Sequence, residues 1–225
     1  MKISRIIFTS FFSLIGIFLL SLMILGFIYK DEKYTSDDEK HKTIKHIELE
    51  AFSHISIAPG CKLNIYSDEK PSFSYYAKEE NTKPDYEIKN DTLFIISTEA
   101  SKHEAIKLNT RNLKSIEANN STLYLSELNL DTLSISLIKT NLKFGNKHAY
   151  IQHLNLQVKD KSDVSIWNFN DGEIKMDIEN SHCSMYSNSK VKKVSGKIGE
   201  NSKVTLPITK RIDLDIDPSS SVKKY

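Results

Sequence analysis

The row of residues most open to a chemical reading is KRIDLDID at 210–217. Successive side chains of a strand alternate faces, so Asp213, Asp215 and Asp217 share one face and Ile212, Leu214 and Ile216 take the other. Outward neighbours on one strand stand about 6.5–7 Å apart. Such a row could hold Ca²⁺ if an adjacent strand added oxygen ligands. Glu173, Asp177 and Glu179 are the residues that could add them. The field is mixed, because Lys175 sits within the first acidic group and Lys210 and Arg211 precede the second. A solvated charged face accounts for the same residues. Calcium is the only cofactor the row suggests, and no metal site is assigned.

Other chemistry finds less support. Glycoside hydrolysis needs two carboxylates at a defined separation across a sugar, and the sequence offers many carboxylates with no rule for pairing them. The histidines are scattered at 41, 46, 54, 103, 148, 153 and 182, without a third ligand at zinc spacing. No Ser-His-Asp elbow, P-loop or dinucleotide glycine pattern is present, so no catalytic residue is assigned. Aromatic side chains are better candidates as binders. Tyr75 and Tyr76 are adjacent in a strand, so one of them faces out. Trp167 follows the strand SDVSI, with Phe169 two positions on in WNFND. Exposed rings of this kind stack on sugars or anchor a partner. The competing reading is that Trp167 fills a corner or covers the core.

The elements that position these residues fall into two contrasting parts. Residues 6–29, IIFTSFFSLIGIFLLSLMILGFIY, carry no charge. As a helix they cover about 36 Å, enough for a bilayer core of about 30 Å with tilt. Lys2 and Arg5 precede them, so the positive-inside bias leaves residues 1–5 as a cytoplasmic tail and places residues 30–225 outside, with the lipid bilayer as a partner. A cleaved signal peptide is the alternative, although its apolar region is usually about 7–15 residues and ends in an A-x-A-like site that is missing here. The expected location is the cytoplasmic membrane, single-pass, with the C-terminal domain extracytoplasmic. Residues 30–45 form a charged linker, and 46–225 the exported domain.

Thirty-one basic and 29 acidic residues nearly cancel and are interspersed. A nucleic-acid footprint requires a clustered basic face, so nucleic acid is excluded as a partner. Cys61 is in phase with Leu63 and Ile65, and Cys183 with Met185. Both are expected in the core, several rungs apart and too far for a disulfide.

Apolar residues alternate with polar ones throughout the exported part, and no stretch shows helical periodicity. From about residue 105 a repeat emerges. Ser or Thr is followed two and four places later by apolar residues in STLYL (121–125), TNLKF (140–144), SDVSI (162–166), SHCSM (181–185) and SKVTL (202–206), while SSVKK (220–224) keeps the first apolar place. The leading residues, 121, 140, 162, 181, 202 and 220, are 19, 22, 19, 21 and 18 apart. GCKLNI at 60–65 has the same look. Each period then holds two or three short strands with polar corners. This predicts an all-β, parallel, right-handed β-helix or solenoid with coils of about 20 residues. An antiparallel sandwich with evenly spaced strands is the alternative. PSSSVKKY at the end is polar enough to cap the stack.

Three segments carry a family resemblance. FSHISIAPGCKLNIY (52–66) looks like an opening strand, turn and strand. DYEIKNDTLFI (85–95) is similar to a strand, Asn-containing turn, Thr-Leu and strand step. LKSIEANNSTLYLSELNLDTLSISLIKTNLKF (113–144) resembles the first coils. Together they resemble the autotransporter-adhesin head domain of the GIN type, a domain of unknown function in Bacteroidetes envelope proteins. The likeness runs over about residues 48–222. It departs from the family in having few coil glycines and in its N-terminal apolar helix. The resemblance implies a β-helical domain at the envelope and, by the family's name, adhesion. The function expected is a non-enzymatic, membrane-anchored protein of adhesin-like binding or structural role, with an envelope protein or a glycan as partner. The enzyme alternative is a carbohydrate-active lyase or hydrolase using a surface acidic cluster with a nearby Lys or Arg. A sensor of envelope state would have to act through a membrane partner, because the tail before residue 6 is too short to be a domain.

Overall fold

The computed structural model describes residues 20–21, 43–77, 82–99, 105–145, 150–186, 188–207 and 209–224. Leu20 and Ser21 are helical, and the rest of the 6–29 segment lies outside the described residues. Among the described residues no helix is long and apolar enough to cross a membrane. Residues 43–225 form a compact unit distinct from 1–42.

Every regular element described in that unit is a strand. In chain order they are β1 (Thr43–Glu48), β2 (His54–Ile57), β3 (Lys62–Ser67), β4 (Ser72–Ala77), β5 (Asp85–Lys89), β6 (Thr92–Ser97) and β7 (Ile106–Thr110). Then follow β8 (Ser115–Asn119), β9 (Thr122–Ser126), β10 (Asn129–Ile138), β11 (Asn141–Phe144), β12 (Tyr150–Lys159) and β13 (Asp163–Ile166). The last are β14 (Asn170–Ile178), β15 (His182–Met185), β16 (Lys190–Ile198), β17 (Lys203–Leu206), β18 (Thr209–Ile216) and β19 (Ser221–Lys224). Strand β1 begins within the stretch read as linker, where TIKHIE already alternates.

From β8 onward consecutive strands alternate between two sheets. Sheet I runs β1-β4-β7-β3-β9-β11-β13-β15-β17-β19, and sheet II runs β18-β16-β14-β12-β10-β8-β2-β6-β5. Each coil therefore contributes two strands, one per sheet. Thr122 pairs with Asn141, Asn141 with Asp163, Asp163 with His182, His182 with Lys203, and Lys203 with Ser221, all parallel. These register steps equal the spacings of the sequence repeat. The parallel solenoid of about 20-residue coils is what the repeat predicts.

Inward side chains stack in columns across coils. Ile106, Leu63, Leu123, Leu142, Val164, Cys183, Val204 and Val222 form one such column in sheet I. All but Val222 are buried. A coil alone leaves both faces of its column wet, so burial comes only from neighbours above and below. Cys61 and Cys183 are buried, free thiols, as their phase in the sequence predicts. Burial pushes the Cys183 thiol up to about 12.

The corners explain the leading Ser and Thr residues. Asn120, Lys139, Lys161, Asn180 and Asn201 have φ of 45–66°. Each turns the chain sharply before the leading residue. Asn adopts this conformation most readily. Buried and half-buried hydroxyls then tie coils together. Thr140 N–H donates to Ser162 Oγ at 3.0 Å, Ser162 N–H to Ser181 Oγ at 3.3 Å, and Ser202 N–H to Ser220 Oγ at 2.8 Å. Two of these hydroxyls also donate to nearby carbonyls, Ser162 Oγ to Lys159 O at 2.6 Å and Ser220 Oγ to Gly199 O.

The N-terminal end departs from a simple stack. Coil β2–β3 is inserted between coil β8–β9 and the pair β6 and β7. Among the described residues antiparallel pairing is confined to this end, in β1/β4, β4/β7 and β5/β6. The β5–β6 turn places Asn90 and Asp91 at φ 49° and 62°, the primed hairpin geometry. At the other end β18 and β19 are edge strands. Ile216, expected to point inward, is 44% exposed because no further coil among the described residues covers it, while Ile212 and Leu214 are half-buried.

Candidate functional site

The acidic row lies on the outer face of sheet II. Asp213 and Asp215 are exposed on the edge strand β18. Asp217 follows it, and its Oδ1 accepts the Ser219 N–H at 2.8 Å and the Ser219 Oγ–H at 2.7 Å, which holds its carboxyl below the usual range. Glu173 and Asp177 stand on β14, two strands away. Strand β16 intervenes and places Lys193 between Glu173 and Arg211, and Lys197 between Asp177 and Asp215. Glu179 pairs with Lys159 at 3.5 Å. At about 4.8 Å per strand, Asp177 and Asp215 are about 10 Å apart with an ammonium in the row between them. Among the described residues no group of three or more His, Cys, Asp or Glu side chains is arranged to hold a metal.

The four aromatic candidates separate. Tyr75 is 4% exposed and Phe169 is in the core, packed near Phe144 at 6.3 Å between ring centroids. These two correct the surface role expected of them. Tyr75 alternates inward in β4. Phe169 lies beyond the sharp turn at Asn168 (φ 53°), which reverses the side-chain alternation after Trp167. Tyr76 faces out, 37% exposed. Trp167 is half-buried and lies flat on Tyr186, with centroids 4.7 Å apart and planes 12° from parallel.

Trp167 belongs to a groove on the outer face of sheet I. The register aligns Tyr66, Ser126, Gly145, Trp167 and Tyr186 along one row crossing five strands or their ends. The parallel row beside it carries Asn64, Tyr124 and Lys143. Large rings at Tyr66 and Trp167 thus flank two small residues, leaving a trough of about 440 Å³. Its walls are three strand spacings apart, about 14 Å. Gly145, at the end of β11, packs against the backbone of Trp167. Its φ is +90°, and a Cβ there would lie 1.8 Å from the Trp167 carbonyl oxygen. Lys143 Nζ stands 5.4 Å from the Tyr124 ring centroid, and Lys107 Nζ 4.9 Å from that of Tyr66. A Trp braced by a stacked Tyr is a rigid apolar platform, costing little side-chain entropy when a ligand docks.

Tyr66, Tyr124, Lys143 and Tyr186 escape a reading that looks for adjacent aromatics. They do carry a signal. Numbered from the leading residue of each coil, Trp167 and Tyr186 occupy the fifth place after it, Tyr66 the fifth after Cys61, and Tyr124 and Lys143 the third. All are outward positions of one strand of the repeat.

No family model matches the sequence, and no curated protein matches it. Solved structures do. A Bacteroides fragilis protein described as a "putative adhesin" is 12% identical, covers 84% of this chain and 99% of its own, and superposes with a TM-score of 0.52. Proteins of the same description from Parabacteroides merdae and Parabacteroides distasonis are 13% and 14% identical. They cover 83% and 81% of this chain and 97% and 96% of their own, with TM-scores of 0.43 and 0.45. The Bacteroides fragilis protein and this chain share a fold.

Proposed function

We propose that this chain is a non-enzymatic binding module, displayed from the cell envelope, whose ligand face is the aromatic groove on sheet I. The single observation behind this reading is the Trp167–Tyr186 stack facing Tyr66 and Tyr124 across a trough lined by Ser126 and Lys143. Flat rings on a rigid sheet match the apolar faces of sugar rings, so a glycan is the ligand class. A solenoid suits this role because its strands hold side chains at fixed intervals. The carboxylates of β14 and β18 are separated by strand β16 and form no contiguous cluster, which weighs towards binding and away from the lyase or hydrolase alternative.

Residues 6–29 act as a single-pass anchor in the cytoplasmic membrane with the N-terminus inside, and the domain is of the GIN adhesin-head type. The winding is right-handed, the sense adopted by nearly all parallel crossovers. The test is retention of the full-length chain on immobilised polysaccharides. Trp167→Ala is expected to cut retention about tenfold or more, in line with an aromatic anchor. Equal retention of the variant and the parent would refute the groove as the binding face.

A further inference from the structure

The groove's electrostatics narrow the ligand further, on the reading that the groove binds sugar. We propose that it takes an acidic sugar, a uronate-type unit of a polysaccharide, with its ring against Trp167 and Tyr124 and its carboxylate at Lys143. The two outward rows that form the groove contain no carboxylate from β7 to the end of β15. One row reads Lys107, Asn64, Tyr124, Lys143, Ser165 and Ser184. The other reads Asn109, Tyr66, Ser126, Gly145, Trp167 and Tyr186. In a chain with 31 basic and 29 acidic residues interspersed, this is a local positive field. Among the described outward strand positions on that face from β7 to β15 the acidic residue is Asp163, one row further out beside Asn141, and Glu127 follows Ser126 at the corner after β9.

Each part of the arrangement has a counterpart in such a ligand. Lys143 is exposed with its ammonium 5.4 Å from the Tyr124 centroid, so it is held over the groove while its donors remain available. An ammonium meeting a carboxylate beside rings that exclude water gains more than it does in open solvent. Asn64 supplies an amide, and Ser126 a hydroxyl, for the ring hydroxyls. The trough is about 14 Å between its walls, wide enough for one or two sugar units.

The experiment uses the purified full-length chain and isothermal titration. The probes are alginate, polygalacturonate and hyaluronan oligosaccharides, each beside its carboxyl-reduced neutral counterpart. At least one acidic probe is expected to bind about tenfold more tightly than its neutral partner at low salt. The gap should shrink at high salt, as screening demands. Lys143→Met is expected to close the gap by bringing the acidic probe down to the affinity of its neutral partner, and Trp167→Ala to weaken both forms. Circular dichroism melts of the two variants establish that they fold. If neutral forms bind as well as or better than acidic ones, the acidic-sugar proposal falls and the glycan-binding reading stands. If no probe binds, or if Trp167→Ala leaves binding untouched, both fall.

Discussion

Replacing Ser162 with alanine tests whether the corner hydroxyls hold the coils together. Ser162 is 1% exposed. Its Oγ accepts the Thr140 N–H at 3.0 Å and donates to Lys159 O at 2.6 Å. The two losses are unequal. Lys159 O still receives the N–H groups of Lys139 and Ser162, each at 3.3 Å. Thr140 N–H loses its hydroxyl acceptor in a position that water does not reach. A buried donor left without a partner costs about 1–3 kcal/mol, so Ser162→Ala is expected to destabilise the domain by about 2 kcal/mol. For a unit of this size that is a fall of about 4–8 °C in Tm. The local signature is sharper. Exchange of the Thr140 amide with deuterium should quicken by about thirtyfold, that free energy converted at tenfold per 1.4 kcal/mol. Ser165→Ala, on the outer face of β13 just after that corner, is the control and should change stability by less than about 0.5 kcal/mol. Unchanged protection at Thr140, together with a Tm within about 1 °C of the parent, would refute the role assigned to the corner hydroxyls.

Three further outcomes follow from the same geometry. Gly145→Ala combines a left-handed φ with a Cβ placed against the Trp167 carbonyl, so it should cost about 1–3 kcal/mol or more and shift the tryptophan fluorescence; a wild-type melt and spectrum would contradict the close approach. Asp91 accepts the Ser53 hydroxyl at 2.6 Å, which holds its carboxyl below the ordinary range. Its contribution is present above the unfolded-state pKa and lost as pH falls through the lower folded value, so Asp91→Asn should flatten the acid limb of the stability profile, read by urea melts from pH 7 to pH 3. Cys183, raised to about 12 by burial, should resist alkylation in the native protein at pH 8 and react once unfolded. The stability linked to its raised pKa is present below the unfolded value and lost as pH climbs towards 12.

The coil period was legible in the sequence because one strand per coil repeats a local grammar. A residue tolerant of left-handed φ, a small hydroxyl side chain and two apolar residues at alternate places recur at the steps that the strand register reproduces. Both cysteines were legible for the same reason, since strand alternation fixes the face of a side chain. The fate of Phe169 was not, because the turn at Asn168 reverses the alternation and one-dimensional phase does not carry across it. The insertion of β2–β3 between later coils also escaped the reading. Which coil stacks on which is decided by long-range pairing, 60 residues apart for Lys62 and Thr122.

The same division separates the two candidate faces. The sequence by itself determined that Asp213 and Asp215 point outward, because the period of a strand is two. Only the tertiary structure decided that Lys197 stands between Asp177 and Asp215, and that Tyr66, Tyr124, Lys143 and Trp167 from four different coils line one trough. Strand alternation is a local property of the backbone. Neighbourhood across a sheet is set by hydrogen-bonded register between segments distant in the chain, and that register is where the candidate binding site is assembled.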